Sequence, residues 1–216
     1  LDIIFFHIDQ NIFNMGGFKL TYFNARGRAE VIRLLLKAGN KEFEDVRITK
    51  EEWPELKAKT PTGFLPTLET PCGKTLVQSM AICRFLAHKF GYYPEDSIYD
   101  IERAIAQVND IFDELYRIFF SPEEKKEEMR KEFSENKGKA HLKALQKFLE
   151  EKEGGFFAGS KVTLADLCLI TCMDYLKAHY SSLLEDFPKI SAHYDAVLQA
   201  VPAVADWIKT RPETAM

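Results

Sequence analysis

Tyr22 closes a short apolar run, Phe18-Lys-Leu-Thr-Tyr-Phe23, and the chain then offers Arg26-Gly27-Arg28 before a helical pattern sets in. A phenol at a strand-to-helix junction, backed by a guanidinium, can hold a reactive anion: the hydroxyl donates a hydrogen bond and the arginine adds positive potential. The same stretch supplies an isolated Trp53, a Gly63-Phe64-Leu65-Pro66 turn and a Gln78-Ser79 pair at the start of a helix. Taken singly, each has an ordinary reading. Tyr22 is then a strand residue with a wet hydroxyl, Pro66 a turn residue and Gln78-Ser79 an N-cap.

The elements that must position these groups follow from periodicity. After the first strand the order is a helix from about Gly27 to Ala38, a strand Phe43 to Arg47, an irregular helix around Trp53 to Lys59 and a strand Pro66 to Glu69. A Gly73 turn, a strand Thr75 to Val77 and a helix Ser79 to Phe90 complete a βαβ unit followed by a hairpin and helix. Gly91 is a natural C-cap, and Tyr92-Tyr93-Pro94 begins a linker.

Beyond the linker every segment reads as helix. A long amphipathic stretch runs from about Ser97 to Phe120, and Ser121-Pro-Glu-Glu124 predicts a capping box opening a Glu/Lys-rich helix that extends to Glu153. Gly154-Gly155 ends it. Thr163-x-x-Asp166 predicts a second box, with Val162 and Leu167 at the positions of a hydrophobic staple, and helices after Pro188 and Pro202 close the chain.

Composition narrows the function. With 216 residues and 46% hydrophobic content the chain can bury a large core, and 29 basic against 33 acidic residues leave a net charge of −4. That balance gives no footprint for nucleic acid. Cys72, Cys83, Cys168 and Cys172 form no CxxC pair, and histidines 7, 88, 141, 179 and 193 show no ligand spacing, so reduced thiols in a cytoplasmic protein and no metal site are expected. Residues 1–14 carry two aspartates and no basic n-region, so they are neither a signal peptide nor a membrane span; residues 1–16 are expected to be a disordered or non-native extension. Met15-Gly16-Gly17 fails the myristoylation pattern because Leu20 stands where Ser or Thr is needed.

The runs KLTYFNARGRAEVIR, EEWPELK, GFLPTLE, QSMAICRFL, VTLADL and VPAVADWIKTRPET, in this order, resemble the cytosolic glutathione transferases. The likeness is to the sigma class, which includes a haematopoietic prostaglandin D synthase, and it spans about Phe18 to the C-terminus. It implies an α+β, thioredoxin-like N-terminal domain over 17–92 that binds glutathione, and an all-α C-terminal domain over 97–216 that contributes the electrophile site.

By that resemblance Tyr22 donates its hydroxyl proton to the glutathione sulfur and Arg28 adds positive potential. Trp53 and Lys57 reach the glycyl carboxylate, and Leu65, before a cis Pro66, offers backbone groups to the cysteinyl moiety. Gln78 and Ser79 take the γ-glutamyl carboxylate, while Gly63 and Phe64 either line the approach or form an ordinary turn. Asp110, Asp113 and Glu114 share one face of the long helix. The family places such an acid across the twofold axis of a homodimer, which assigns Glu114, with Asp113 beside it, to the α-amine of glutathione. Clustered acids could also gather Mg2+, although hydrated surface carboxylates are the expectation.

The implied electrophile pocket uses Phe23 and Ala25, Phe119 and Phe120, and Cys168 with Cys172 near it, all of which also read as plain core. Ser121 stands where the prostaglandin pocket has tryptophan, and Cys168 replaces a bulky aromatic. The implied activity is conjugation of glutathione to hydrophobic electrophiles. The alternatives are prostaglandin D isomerisation, or a non-catalytic crystallin-like or ligand-carrier role on the same fold. A glutaredoxin-like redox role does not fit, since Asn24-Ala25-Arg26 offers no thiol.

Overall fold

In β1 (Phe18–Phe23) the alternation of period two buries Phe18 and Leu20 and exposes Lys19, which seats the strand inside a sheet. The computed structural model describes residues 17–214; the extension expected over 1–16 and His7 lie outside the described residues. The sheet has four strands in the order β2-β1-β3-β4. β2 (Phe43–Ile48) runs parallel to β1, whereas β3 (Thr67–Glu69) and β4 (Thr75–Val77) form an antiparallel hairpin on its other side.

A 3-10 turn, Gly27–Ala29, leads into α1 (Glu30–Ala38), so the first helix begins less regularly than its sequence pattern. Val31, Ile32, Leu34, Leu35 and Leu36 are buried. Each contributes about 1.5–3 kcal/mol of burial. α2 (Trp53–Lys57) is one turn long with Pro54 at its start, and α3 (Ser79–Phe90) follows β4 after a single residue.

Two compact units result. Among the described residues one is formed by 17–86 together with 207–214, the other by Ala87–Asp206. The C-terminal segment groups with the sheet because Trp207 and Arg211 both donate hydrogen bonds to the buried Glu30.

Among its described residues the second unit is built from helices, with one isolated bridge between Phe156 and Gly159. α4 (Ile98–Phe120) buries a stripe, Ile101, Ala104, Ile105, Val108, Ile111, Leu115 and Ile118, at the three-and-four spacing of one helix face. It packs on α6 (Gly138–Glu150) and on α7 (Leu164–His179), whose first ten residues include eight that are apolar and buried. α8 (Ser181–Leu184), α9 (Pro188–Ala200) and α10 (Pro202–Thr210) follow.

Two expectations are corrected here. Ser121 caps the helix before it and not the one after: it is the C-cap of α4, its Oγ donating to the Arg117 carbonyl at 2.6 Å, and α5 (Glu123–Glu132) starts after Pro122 with no side-chain cap. The single helix expected to reach Glu153 is interrupted by a π-helical turn at Phe133–Lys137 and ends at Glu150.

The Thr163 box does form. The Asp166 carboxylate, wholly buried, accepts the Thr163 N–H at 2.7 Å, the Thr163 hydroxyl at 2.8 Å and the Phe157 N–H at 3.1 Å. His193 Nε2 joins it at 2.7 Å. This cluster ties the 157–163 loop and α9 to the start of α7.

Candidate functional site

Strand direction alone gathers the sequence-predicted groups of the first unit. Thr21 pairs with Thr67 and Phe23 with Ile48, while Thr67 pairs with Val77. The C-terminal ends of β1, β2 and β4 and the N-terminal end of β3 therefore share one end of the sheet. Tyr22 leaves β1 there, Leu65-Pro66 enters β3, Gln78-Ser79 leaves β4, and β2 leads into α2 with Trp53 and Lys57.

Tyr22 is half-buried, and its Oη accepts the backbone N–H of Arg28 at 3.4 Å. Because that bond uses a lone pair of the oxygen, the phenol proton stays available to donate elsewhere. The approach depends on Gly27, which sequence reasoning passed over. Its φ is +38°, and a Cβ there would sit 2.8 Å from Tyr22 Oη. Arg28 itself is exposed and stands beside the phenol through its backbone.

Around the phenol, Phe23 meets Tyr22 edge-on at 5.8 Å and Trp53 edge-on at 5.7 Å between ring centroids. The stem of Lys57 passes over Gly63, where a Cβ would lie 3.6 Å from Lys57 Cε, and Gly63 adopts φ +70°. Phe64 is 69% exposed, Leu65 half-buried and Pro66 buried, and the Leu65–Pro66 peptide is cis. Gln78 is exposed with φ +69°, a left-handed conformation uncommon outside glycine, and Ser79 is the first residue of α3. That twist turns the chain abruptly from strand to helix, so the N-terminal N–H groups of α3 begin at this sheet end.

Behind Tyr22 lies an ionic cluster that motif spacing did not reveal. Arg33, wholly buried, donates through Nη1 to Glu30 Oε2 at 2.9 Å and to the carbonyls of Ala25 at 3.0 Å and Arg26 at 3.3 Å. Its Nε bonds Asp45 at 3.0 Å, Arg47 holds the other oxygen of Asp45 at 2.8 Å, and Arg47 also reaches Asn24 Oδ1 at 3.3 Å. The loop 24–26 is thus pinned from beneath. Burial pushes the Glu30 carboxyl up, but the charges of Arg33 and Arg211 with the bonds from Trp207 and Arg211 outweigh it and hold the group below its ordinary value. The only hint in the sequence is the Glu30/Arg33 spacing of i,i+3.

In the second unit, Glu114 is paired within its own chain, to Lys137 Nζ at 3.0 Å and Arg117 Nη1 at 3.2 Å, while Asp113 is exposed. Among the described residues no group of His, Cys, Asp or Glu is arranged to hold a metal ion. Phe119 and Phe120, 44% and 78% exposed, end an aromatic series in which Phe112 meets Tyr116 and Tyr116 meets Phe120. Cys168 and Cys172 are buried on α7, and burial raises the Cys172 thiol far above its ordinary range.

A four-stranded mixed sheet whose one end collects a phenol, an indole, a lysine and an open helix start, followed by an all-helical unit, defines a thioredoxin-like domain with a helical partner. Known proteins make the class definite. The family model for the glutathione S-transferase N-terminal domain matches residues 18–88 and that for the C-terminal domain matches 109–211. The chain is 38% identical over 204 residues to the class-mu 28 kDa glutathione S-transferase isozyme of Schistosoma japonicum, covering 91% of this chain and 99% of that protein. It is 36% identical over 204 residues to the hematopoietic prostaglandin D synthase of Homo sapiens, covering 93% and 99%. The solved sigma class enzyme of Fasciola hepatica superposes with a TM-score of 0.87 at 38% identity, covering 93% of this chain and 99% of that one. This chain belongs to the glutathione S-transferase family.

Proposed function

We propose that this protein ionises the thiol of glutathione at Tyr22 and conjugates it to hydrophobic electrophiles, as a sigma-like member of its family. The observation that carries the reading is the Tyr22 hydroxyl, seated over Gly27 with its oxygen already accepting the Arg28 N–H. A thiol of pKa about 8.5 must fall by about two units to be ionised at neutral pH, a cost of about 2.7 kcal/mol. One hydrogen bond to a charged acceptor contributes about 1.5–3 kcal/mol, so a phenol donor suffices without acting as a base. The exposed guanidinium of Arg28 adds potential of the right sign. The sulfur then attacks carbon, a C–S bond forms, the leaving group departs with its electron pair, and the thiol proton passes to solvent.

The remaining groups hold the tripeptide. Trp53 and Lys57 take the glycyl carboxylate, the Leu65 backbone pairs with the cysteinyl unit, and Gln78, Ser79 and the start of α3 take the γ-glutamyl carboxylate. Gly63 and Phe64 border the entrance. In a homodimer Glu114, with the exposed Asp113 beside it, is the acid that reaches the α-amine, Lys137 and Arg117 holding the Glu114 carboxylate in place. Phe23 and Ala25, beside the phenol, supply apolar surface for the electrophile; on α4 Phe119 and Phe120 are exposed, whereas Cys168 is buried on α7. The role is cytoplasmic detoxification without metal.

Replacing Tyr22 by Phe tests the reading. Conjugation of a chromogenic aryl halide should fall about 10- to 150-fold, the equivalent of the lost hydrogen bond, with glutathione affinity by calorimetry nearly unchanged. Undiminished turnover would remove Tyr22 from the mechanism.

A further inference from the structure

The loop that carries Gly27 and Arg28 is anchored to the last helix of the chain. Glu30 divides its carboxylate: Oε1 accepts Trp207 Nε1 at 2.9 Å and Arg211 Nη1 at 2.8 Å, and Oε2 accepts Arg33 Nη1 at 2.9 Å. The same Arg33 nitrogen serves the carbonyls of Ala25 and Arg26, so three acceptors share two N–H protons. Arg33 Nη2, buried, has no hydrogen-bond partner among the described residues. The guanidinium is oversubscribed on one nitrogen and unspent on the other, so its placement depends on where Glu30 is held.

Trp207 and Arg211 hold it. Without them both oxygens of Glu30 are free to engage Arg33 in a bidentate pair, which turns Nη1 away from the carbonyls of residues 25 and 26. The loop would then relax at Gly27, where the clearance to the Tyr22 hydroxyl is too small to admit even a methyl group. From this geometry we infer that Trp207 and Arg211 are positioning residues for the thiol-activating phenol, acting through Glu30 and Arg33 on residues 25–28. The inference rests on the role given to Tyr22 above.

The test compares wild type, Trp207→Phe, Arg211→Met and Arg211→Lys. Three quantities are read: the pH midpoint of the mercaptide absorbance in the glutathione complex, the acid limb of kcat/KM, and the melting temperature of the glutathione-free protein. Trp207→Phe keeps an aromatic ring near Phe43, which the indole meets at 5.7 Å, and removes the Nε1–H donor together with one ring of the indole, a milder change than loss of the whole side chain, so it remains informative if a harsher variant fails to fold. A rise of half a unit or more in both midpoint and acid limb is expected for Trp207→Phe and Arg211→Met, at least about a threefold loss of thiolate below the midpoint, with Arg211→Lys lying between Arg211→Met and wild type. A lowered melting temperature with unmoved midpoint and acid limb would reduce the pair to structural anchors and overturn the inference. Absence of a mercaptide band near neutrality in wild type itself would instead sink the Tyr22 reading, and this inference with it.

Discussion

Gly27→Ala separates the cost of an unfavourable backbone from the cost of moving the phenol. At φ +38° an alanine pays about 1–2 kcal/mol for the left-handed conformation. In a chain of this size that corresponds to about 2–8 °C in melting temperature. The new Cβ would also stand 2.8 Å from Tyr22 Oη, 3.0 Å from Cε1 and 3.3 Å from Cζ, so the ring or the loop must give way by about 0.6 Å to reach the 3.4 Å of ordinary contact. A displacement of that order removes most of a directional hydrogen bond to the sulfur, which predicts a further loss of about 10- to 100-fold in kcat/KM. Gly73→Ala is the matched control: its φ is +78°, but nothing lies within 4 Å of the added Cβ. Initial conjugation rates, glutathione affinity by calorimetry and melting curves should therefore show both variants destabilised and only Gly27→Ala crippled. Equal activity in the two would refute the claim that clearance over Gly27 places the phenol.

The other predictions concern stability and thiol reactivity. Asp166→Asn turns an amide donor toward groups that already donate, either Phe157 and His193 or the N–H and hydroxyl of Thr163, and should cost about 2–4 kcal/mol in urea unfolding while leaving the pH profile of conjugation in place. Glu30→Gln takes from the buried Arg33 one of its two anionic partners, leaving Asp45, and should cost about 1–3 kcal/mol at pH 7. Since the folded-state pKa of Glu30 is depressed, its contribution is present above the ordinary carboxylate range and lost as pH falls through the folded value. The gap in melting temperature between wild type and Glu30→Gln should hold from pH 6 to 8 and close under acid. Cys72, exposed and lowered first by the Thr70 hydroxyl and then by the Lys74 backbone, should be alkylated at pH 7 before Cys83, Cys168 or Cys172, as read by mass spectrometry of the native protein.

Much of this was legible because local chemistry and tertiary demand agree. β4 and α3 have the limits their residues suggest, since Gly73 turns the hairpin and Gly91, at φ +80°, ends the helix. Thr163 and Asp166 likewise form their box. Ser121 misled because a serine between two helices can serve either; here its hydroxyl is spent on Arg117. The π-helical turn has a trace in the spacing of apolar residues. Phe133 and Leu142, both buried, are nine residues apart, half a turn out of phase for an unbroken helix, and the one extra residue of the π turn brings them to within about 80°, inside the width of a buried face. At the site, the side chains bearing chemistry could be listed from motifs, but Gly27 and the Glu30–Arg33 cluster act through distances that only the folded chain defines.

The central claim, that a phenol proton donor keeps the bound sulfur ionised, is tested most directly by ultraviolet difference titration of the glutathione complex. The mercaptide band should rise with a midpoint about two units below that of free glutathione in wild type, and return toward the free value in Tyr22→Phe. A wild-type band emerging only in alkaline buffer, as for the free tripeptide, would contradict the account.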